Sequence, residues 1–574
     1  MAEACGDGLM PTVEVDLEDL ELLLGMQLPR EEEKLNEVLS YIKGEAKGLE
    51  SKEIRVELKD SNRADIWSVE GIARALRGYL GLEKGFKNYQ IEGKSGVTVQ
   101  VDPKLSTIRP YIACSVVKGV RLTDAAIRQM MHFQDKLDQT YGRNRRRTSI
   151  GLYDYDLISP PLRYGVAKPD EVSFVPLDFS EKLTLKEILE KHPKGIEYGH
   201  IVQSFPVWPI FMDSTNKVLS FPPIINSNDL GHVTPSTENV LVEVTGTSIE
   251  TVQNTLTNVT LALADRGGKI YSVKIQYPYG KIRSMTTPNL KGVPLELGLD
   301  YVKKVIGIQF TLKEIRELLG KARYDVVKAS KNSLVVKVPC YRVDVLHPID
   351  IVEDIAIAYN YNKIQPQWPK QLTIGGLSSE SEFRDIIREL MVGLGFQEIL
   401  TFIMSSPEVL FTKMNVKPQR TVEIANPRLS SMTCLRNWLL PSLMEFLSHN
   451  THVDYPQKVF EVGYCVVHDE QKENKTCDIE TLACVAIHSN ASFTEAKSFL
   501  DALLANLGIQ YTLKEENHES FIQGRTGKII IEDKEIGIIG EIHPQVLQNW
   551  ELENPAAAFE ININKLRQHI LSKP

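Results

Sequence analysis

The chain has 574 residues, 42% hydrophobic and 25% charged, with 66 Lys+Arg against 75 Asp+Glu and a formal net charge of −9. That length is too great for one core and predicts about three to five domains. The acidic balance excludes a general nucleic-acid coat while allowing a local basic RNA-binding patch, and no apolar run approaches the roughly 20 residues of a membrane span.

Met10-Pro11-Thr12 looks like a second possible start, so Met1–Leu9 is expected to be a disordered extension. The acidic N-terminus is unlike a signal peptide. Residues 10 to about 85 predict a small α/β unit. Its strand Thr12–Val15 leads into a leucine-rich helix, Leu17–Leu24, and a second strand, Ile54–Leu58, precedes Asp60-Ser61-Asn62-Arg63-Ala64-Asp65. Helical periodicity then runs over Ile66–Leu80 through Ile72, Ala73 and Leu76.

Residues 90 to about 275 read as mixed α/β. A helix carrying Met130, Met131, Phe133 and Leu137 precedes the run Gly142-Arg143-Asn144-Arg145-Arg146-Arg147. Arginines this close repel one another and favour a phosphate backbone as counter-charge. A solvated surface run is the ordinary alternative. Tyr141, Tyr153 and Tyr155 nearby could stack a terminal base. Further on, Val240–Thr247 alternates with period two, so Glu243, Thr245 and Thr247 share a sheet face. That face is either a wet surface or the lining of a polar pocket, where Glu243 accepts a hydrogen bond from a substrate hydroxyl.

Tyr277-Pro278-Tyr279-Gly280 and Pro288-Asn289 are turn-rich and read as a linker. Thr311-Leu312-Lys313-Glu314 is a capping box before Ile315, Leu318 and Leu319. The apolar strand Leu334–Val338 leads through Pro339 to Arg342 and Asp344, and a helix is expected to begin near Pro348. On it Asp350, Glu353 and Asp354 fall at i, i+3 and i+4, opposite the apolar Ile351, Ile355 and Ala358. Crowding Asp344 with them is unfavourable unless a cation balances the group, and hard oxygen ligands suit magnesium. The ordinary alternative is a solvated acidic face whose early members interact favourably with the helix N-terminus. At a fixed offset Arg63 meets Arg342, Asp65 meets Asp344 and Ile66 meets Val345, which reads either as a diverged internal repeat or as coincidence within strand–turn–helix grammar. Gly71, Arg74 and Ala75 replace the later acidic positions, so no metal is expected at the first copy.

Residues 370–574 predict helices over Phe383–Leu394, Leu435–Leu447 and Phe499–Leu507. Strands are expected at Thr421–Ile424, Val459–Val462, Lys528–Ile531, Ile536–Ile539 and Phe559–Ile563, an α+β pattern. The seven cysteines include no C-x-x-C pair and read as reduced thiols of a cytosolic protein.

Several of these phrases resemble one family. R-x-D-V-x-H-P-x-D-x-x-E-D followed by I-A-x-A-Y, residues 342–359, resembles the B5 domain of the β subunit of phenylalanyl-tRNA synthetase. D-x-N-R-x-D is similar to the N-terminal domain of archaeal and eukaryotic-type β subunits. H-P-K-G-x-E-Y-x-H (His192–His200), S-F-P-P-I-I-N and V-E-V-T-G-T resemble the B3/B4 domain of the archaeal subunits, which hydrolyses tyrosine wrongly attached to the phenylalanine tRNA. A-N-P-x-L-S-S-x-T-x-L-R, L-L-P-S-L, V-F-E-V-G and I-G-x-I-G-E-I-H-P resemble the catalytic-like module, similar to a class II synthetase core without its active site.

The resemblance covers nearly the whole chain and implies an α+β multidomain architecture. Its parts are an N-terminal α/β (B1-like) module at 1–88, a B3/B4 editing domain at 89–280, a winged-helix-like B5 domain with a magnesium site at 285–364, and an inactive class II synthetase-like antiparallel sheet with helices at 370–574. It implies Asp344, Asp350, Glu353 and Asp354 as Mg2+ ligands. It implies an editing pocket of Phe211, Ser220, Glu243 and Thr245, with Phe211 departing from an expected aliphatic residue and Glu243 from an expected Asp. Glu243 is expected to read the tyrosine phenol, with Thr245 and Ser220 holding the ester or the attacking water. No Ser-His-Asp or Cys-His arrangement is apparent, so hydrolysis is expected to rest on a positioned water and the terminal ribose hydroxyl.

The implied holoenzyme is a cytoplasmic (αβ)2 ligase joining L-phenylalanine to tRNA(Phe) with ATP, without any membrane association. Its α subunit carries the synthetic site, and this chain contributes assembly, tRNA contacts and proofreading. Adenylation needs arginines to clamp ATP phosphates. Val459–Gly463 has none and Asn554–Glu560 offers Pro and Ala in that place, so this module is expected to pack against a catalytic partner. The rival reading is a non-catalytic RNA-binding or scaffold protein whose editing pocket is dead.

Overall fold

Period-two burial builds the first sheet: Val13 and Val15 of strand Thr12–Asp16 and Ile54, Val56 and Leu58 of strand Glu53–Leu58 all face one core. The computed structural model describes residues 12–47, 52–59, 61–280, 283–369 and 374–571, so the expectations on Met1–Leu9 and Asp60 lie outside the described residues. The chain divides into two units, Met1–Gln367 and Trp368–Pro574.

In the first unit the strand–turn–helix grammar occurs twice, at an offset of 342 − 63 = 279 residues. Strand Glu53–Leu58 is the centre of a three-stranded antiparallel sheet, and after Arg63-x-Asp65 comes helix Val69–Tyr79. Strand Ser333–Val338 is likewise the centre of a three-stranded antiparallel sheet, and after Arg342-x-Asp344 comes helix Pro348–Tyr359. In both copies the arginine pairs with the aspartate two residues on, at 2.8 Å and 2.7 Å. Shared topology and a shared ion pair favour one motif used twice over coincidence.

Between the copies lies a ten-stranded sheet. Its order is Ile225–Asn226, Val218–Phe221, Trp208–Met212, Leu162–Ala167, Ile91–Val101, Lys269–Gln276, Tyr111–Lys118, Asn239–Gly246 and Thr148–Asp154, with Ser284–Thr287 paired to Lys269–Gln276. That last strand follows the turn-rich Tyr277–Gly280, so the sheet reaches past the boundary expected at residue 280. Helix Ile249–Asp265 packs on Tyr111–Lys118 and Asn239–Gly246. Together with helix Asp124–Gln139 it shares one hydrophobic core with the N-terminal strands and helices, so residue 88 is not a break in packing. Arg266 strengthens that junction, pairing with Asp19 at 2.8 Å and Glu70 at 2.5 Å.

The second unit is a seven-stranded sheet, antiparallel except where Gln397–Glu398 runs parallel to Gln457–His468. Helices Ser379–Gly393, Phe493–Asn506 and Ile563–Leu571 share one core, and Leu440–His449 and Pro544–Asn549 another, so the sheet lies between two cores. Thr421–Ile424 does not form the expected strand; it has only an isolated bridge, Glu423 to Cys434. The helix expected from Leu435 begins at Leu440, because Cys434–Leu435 pairs as a strand and the Glu560 carboxylate caps the N–H groups of Leu439 and Leu440. A cap supplied from 120 residues away leaves no local sequence signal.

Candidate functional site

Strand Asn239–Gly246 is second from one edge of the large sheet, between Tyr111–Lys118 and Thr148–Asp154, and is buried along nearly its whole length. Its Glu243 lies opposite Cys114 on one side and Gly151 on the other, and is 2% exposed. Buried carboxylates need partners. The Tyr153 hydroxyl donates to Glu243 Oε2 at 2.7 Å. Gly151 is required here, since an added Cβ would collide with the Tyr153 hydroxyl and stand 2.7 Å from Glu243 Oε2. The second carboxylate oxygen, Oε1, is buried and lacks a hydrogen-bond partner in good geometry, although Thr245 stands near enough to lower the pKa. The neighbouring Ser220 Oγ likewise lacks a partner in good geometry, although it stands near enough to the Tyr153 hydroxyl to lower that phenol's pKa.

Glu243 and Ser220 are among the residues lining a cavity of about 170 Å³, whose wall also includes Arg145, Ser149, His192, Ile224 and Asn226. An apolar cavity of about 150 Å³ is large enough to hold a benzene ring. Burial pushes the Glu243 carboxyl up to about 7, against the Tyr153 hydrogen bond and the Arg109 charge, which pull it down. Burial also pushes the Tyr153 phenol well above its ordinary value, reinforced by the Glu243 charge, so it remains a donor.

Of the expected pocket residues, Ser220 and Glu243 line the cavity, whereas Phe211 and Thr245 stand behind it. Phe211 packs against Tyr153 and Tyr164, with ring centroids 6.2 and 6.5 Å away. Thr245 Oγ1 accepts from the buried Arg109 at 3.0 Å and exchanges a hydrogen bond with Ser149 Oγ at 3.1 Å. Arg109 also donates to the carbonyl of Arg145, so it ties the cavity wall to the sheet. Sequence reasoning missed Arg109 and misread Tyr153. The latter is fully buried against Glu243, so it is not available to stack a base. A period-two reading of Thr148–Asp154, with Gly151 and Tyr153 on one face, is the signal that could have found it.

No nucleophile–base pair occurs among the cavity-lining residues. Ser149 is bound to Arg109 and Thr245. His192 Nδ1 accepts from the Lys194 N–H, and its Nε2 stands 3.1 Å from the Leu177 carbonyl. The site can therefore bind, orient and position a water, but it offers no serine or histidine attack of its own.

The acidic cluster of the second repeat is closed differently. Arg342 bridges Asp344 and Asp354 at 2.7 and 2.8 Å. Tyr324 donates to Asp354 at 2.5 Å, Lys43 pairs with Glu353 at 2.6 Å, and Asp350 Oδ2 accepts from the N–H groups of Leu346 and His347. Against the raising effect of burial, Arg342 holds Asp344 below the ordinary carboxylate range. Among the described residues no three His, Cys, Asp or Glu side chains come together to hold a metal ion. As they stand, these four carboxylates do not fit a magnesium site, because a guanidinium already supplies the balancing charge.

In the second unit Arg436, from outside the Gln457–His468 strand, donates to Glu461 at 2.8 Å, to Thr401 at 2.7 Å and to the Tyr464 carbonyl. It is 1% exposed and saturated by these partners. Burial pushes Glu560 up to about 7, opposed by the backbone N–H groups of Leu440 and Leu439. Among the described residues no helix is long and apolar enough to cross a membrane, and Cys114, Cys340, Cys434, Cys465, Cys477 and Cys484 are free thiols.

Residues 295–361 match the family model of the tRNA synthetase B5 domain, and residues 364–563 that of the phenylalanyl tRNA synthetase beta chain CLM domain. The chain is 46% identical over 561 residues to the phenylalanine–tRNA ligase beta subunit of Pyrococcus furiosus, an alignment covering 97% of this chain and 100% of that one. It is 41% identical over 558 residues to the beta subunit of Methanocaldococcus jannaschii, covering 96% and 100%. The crystal structure of an N-terminal fragment of the phenylalanyl-tRNA synthetase beta-subunit from Pyrococcus horikoshii superposes with a TM-score of 0.58 at 42% identity, covering 61% of this chain and 100% of the fragment.

Proposed function

The chain belongs to the family of phenylalanine–tRNA ligase beta subunits, and on that premise we propose that it proofreads tRNA(Phe), hydrolysing tyrosine attached in error. It does so within a cytoplasmic (αβ)2 ligase whose alpha subunit activates phenylalanine with ATP. One observation carries the editing reading: the buried Glu243 and Ser220 line one cavity, and neither Glu243 Oε1 nor Ser220 Oγ has a hydrogen-bond partner in good geometry. A phenol entering there satisfies an acceptor that phenylalanine leaves bare. The discrimination is large in this direction, because an unpaired buried polar group is costly. A synthetic site built for phenylalanine rejects the added hydroxyl by only about 10²-fold, which is why a second site is needed.

In this reading Glu243 accepts the tyrosine phenol, Ser220 supports the bound aminoacyl group, and Arg109 and Thr245 hold the wall in place. Phe211 and Tyr153 support Glu243 from behind. The ester is cleaved by a water held at the cavity, aided by the terminal ribose hydroxyl of the RNA, since no wall hydroxyl has a base beside it to activate it for attack. Magnesium at Asp344, Asp350, Glu353 and Asp354 is proposed for the assembled ligase alone. In the present arrangement Arg342, Lys43, Tyr324 and backbone N–H groups already engage carboxylate oxygens of all four residues.

The test uses the purified two-chain complex with tRNA(Phe) charged separately with tyrosine and phenylalanine. Faster deacylation of the tyrosyl ester by at least 10²-fold is expected. Equal rates for the two esters would favour the rival, a binding and scaffold subunit whose pocket is inert.

A further inference from the structure

We propose that the arginine loop Arg143–Arg147 clamps the phosphates of a single-stranded RNA end at the rim of the Glu243 cavity. The loop departs from ordinary backbone: Arg143, Asn144 and Arg145 are consecutive non-glycine residues at φ 50, 51 and 61°, in the left-handed region. Such strain persists only where the surroundings over-determine it, and an outlier of this kind directs attention to function. Here the surroundings are visible. The N–H groups of Asn144, Arg145 and Arg147 donate to the carbonyls of Gln139, Asp138 and Gly142 at 3.1, 3.0 and 2.8 Å.

Arg145 is the anchor. It pairs with the buried Asp138 at 3.0 Å, lies over the Tyr198 ring at 4.4 Å and donates to the carbonyls of Pro223 and Ile224 in the cavity wall. With Arg145 turned inward, Arg143, Arg146 and Arg147 remain exposed, and none has an ion pair among the described residues. Arg145 and Ser149 both line the cavity, so Arg146 and Arg147 between them lie within about 10 Å of its wall by chain length alone.

Three unpaired guanidinium groups on a rigid loop suit phosphate oxygens, which they can meet in a planar two-point fashion. The chain carries a net charge of −9, so a cluster of cations beside the cavity departs locally from its overall balance. The rim is not uniformly basic, since Asp135 and Asp178 also line the opening. The choice of an RNA end as partner rests on the editing reading, which requires an aminoacylated terminus to enter this cavity.

The experiment measures binding, not hydrolysis, so the two ideas fail separately. The two-chain complex is titrated with a fluorescein-labelled acceptor-stem hairpin, either with its single-stranded 3′ end or blunt, across a salt series. Replacing three arginines by Arg143→Ala, Arg146→Ala and Arg147→Ala is expected to weaken binding of the single-stranded form about tenfold or more. The slope of log K against log salt should fall by about 2, from roughly 0.7 per phosphate on a single strand. The blunt hairpin should bind the variant and parent alike. A second variant with lysine at the same three positions keeps the charge and should retain the parental slope, which separates charge from any effect on folding. Unchanged affinity and slope for the single-stranded form overturn the clamp even if tyrosyl-tRNA is deacylated. A parental complex inert in deacylation, yet showing these binding differences, overturns the editing reading and leaves the clamp.

Discussion

A carboxylate with one oxygen held and the other without a partner in good geometry reads ligands differently in its two protonation states, and burial pushes the Glu243 carboxyl up to about 7. Its folded-state pKa of about 7 lies above the ordinary 4.5. The retained proton therefore contributes stability that is complete below about pH 4.5 and lost as pH rises through 7. Above that the buried charge costs about 3 kcal/mol. Glu243→Gln should therefore leave stability unchanged at pH 4.5 and raise it by up to about 3 kcal/mol at pH 8.5, checked by urea unfolding at both values. Tyr153→Phe removes the donor that favours the ionised form. The acidic limb of tyrosyl-tRNA deacylation should then move to higher pH, whereas a purely structural role would lower the rate without moving the limb. Strand alternation singled out Glu243, and resemblance added Ser220; both line the cavity. Tyr153 was not legible, because nothing local says that Thr148–Asp154 lies beside Asn239–Gly246 with Gly151 facing Glu243.

At the scale of elements, the R-x-D turn and the helix after it behave as a closed electrostatic unit. Arg342 is the hub of the second copy, and Arg342→Met leaves Asp344 and Asp354 buried without their counter-charge. A loss of about 3–5 kcal/mol is expected in urea unfolding, the magnitude typical of breaking a buried pair from one side. The parent chain, with Arg342 in place, should melt at the same temperature in magnesium and in chelator; a magnesium-dependent rise would show that the ion displaces the arginine. The repeat was readable from sequence because its strand, turn and helix are local. What decided the carboxylates was tertiary: Lys43 reaches Glu353 across 310 residues and Tyr324 reaches Asp354 across 30. Spacing on a helix face shows which carboxylates are neighbours, but it does not show which cation arrives. The same limit explains the shifted helix start at Leu440, where Glu560 supplies the cap.

At the scale of the whole molecule, the two units divide the labour that an acidic, 574-residue chain offers. The first carries the cavity and the arginine loop. The second carries the seven-stranded sheet and commits Arg436 to Glu461, Thr401 and Tyr464, so this arginine is not free to grip a nucleotide. The purified chain without its partner should not exchange pyrophosphate into ATP in the presence of phenylalanine. The α+β layering and the order of parts were legible because helix and strand periods are local. The shared core joining the N-terminal strands to helix Ile249–Asp265 was not, since it unites segments over 200 residues apart.

The central claim, that Glu243 is the acceptor by which tyrosine is told from phenylalanine, is tested most directly by one ratio. Deacylation rates of tyrosyl- and phenylalanyl-tRNA(Phe) are measured for the two-chain complex and for its Glu243→Ala variant at pH 8, with charging activity as the control. The account predicts that the tyrosine-to-phenylalanine ratio falls at least 10²-fold in the variant while charging is unchanged. An unaltered ratio would contradict it.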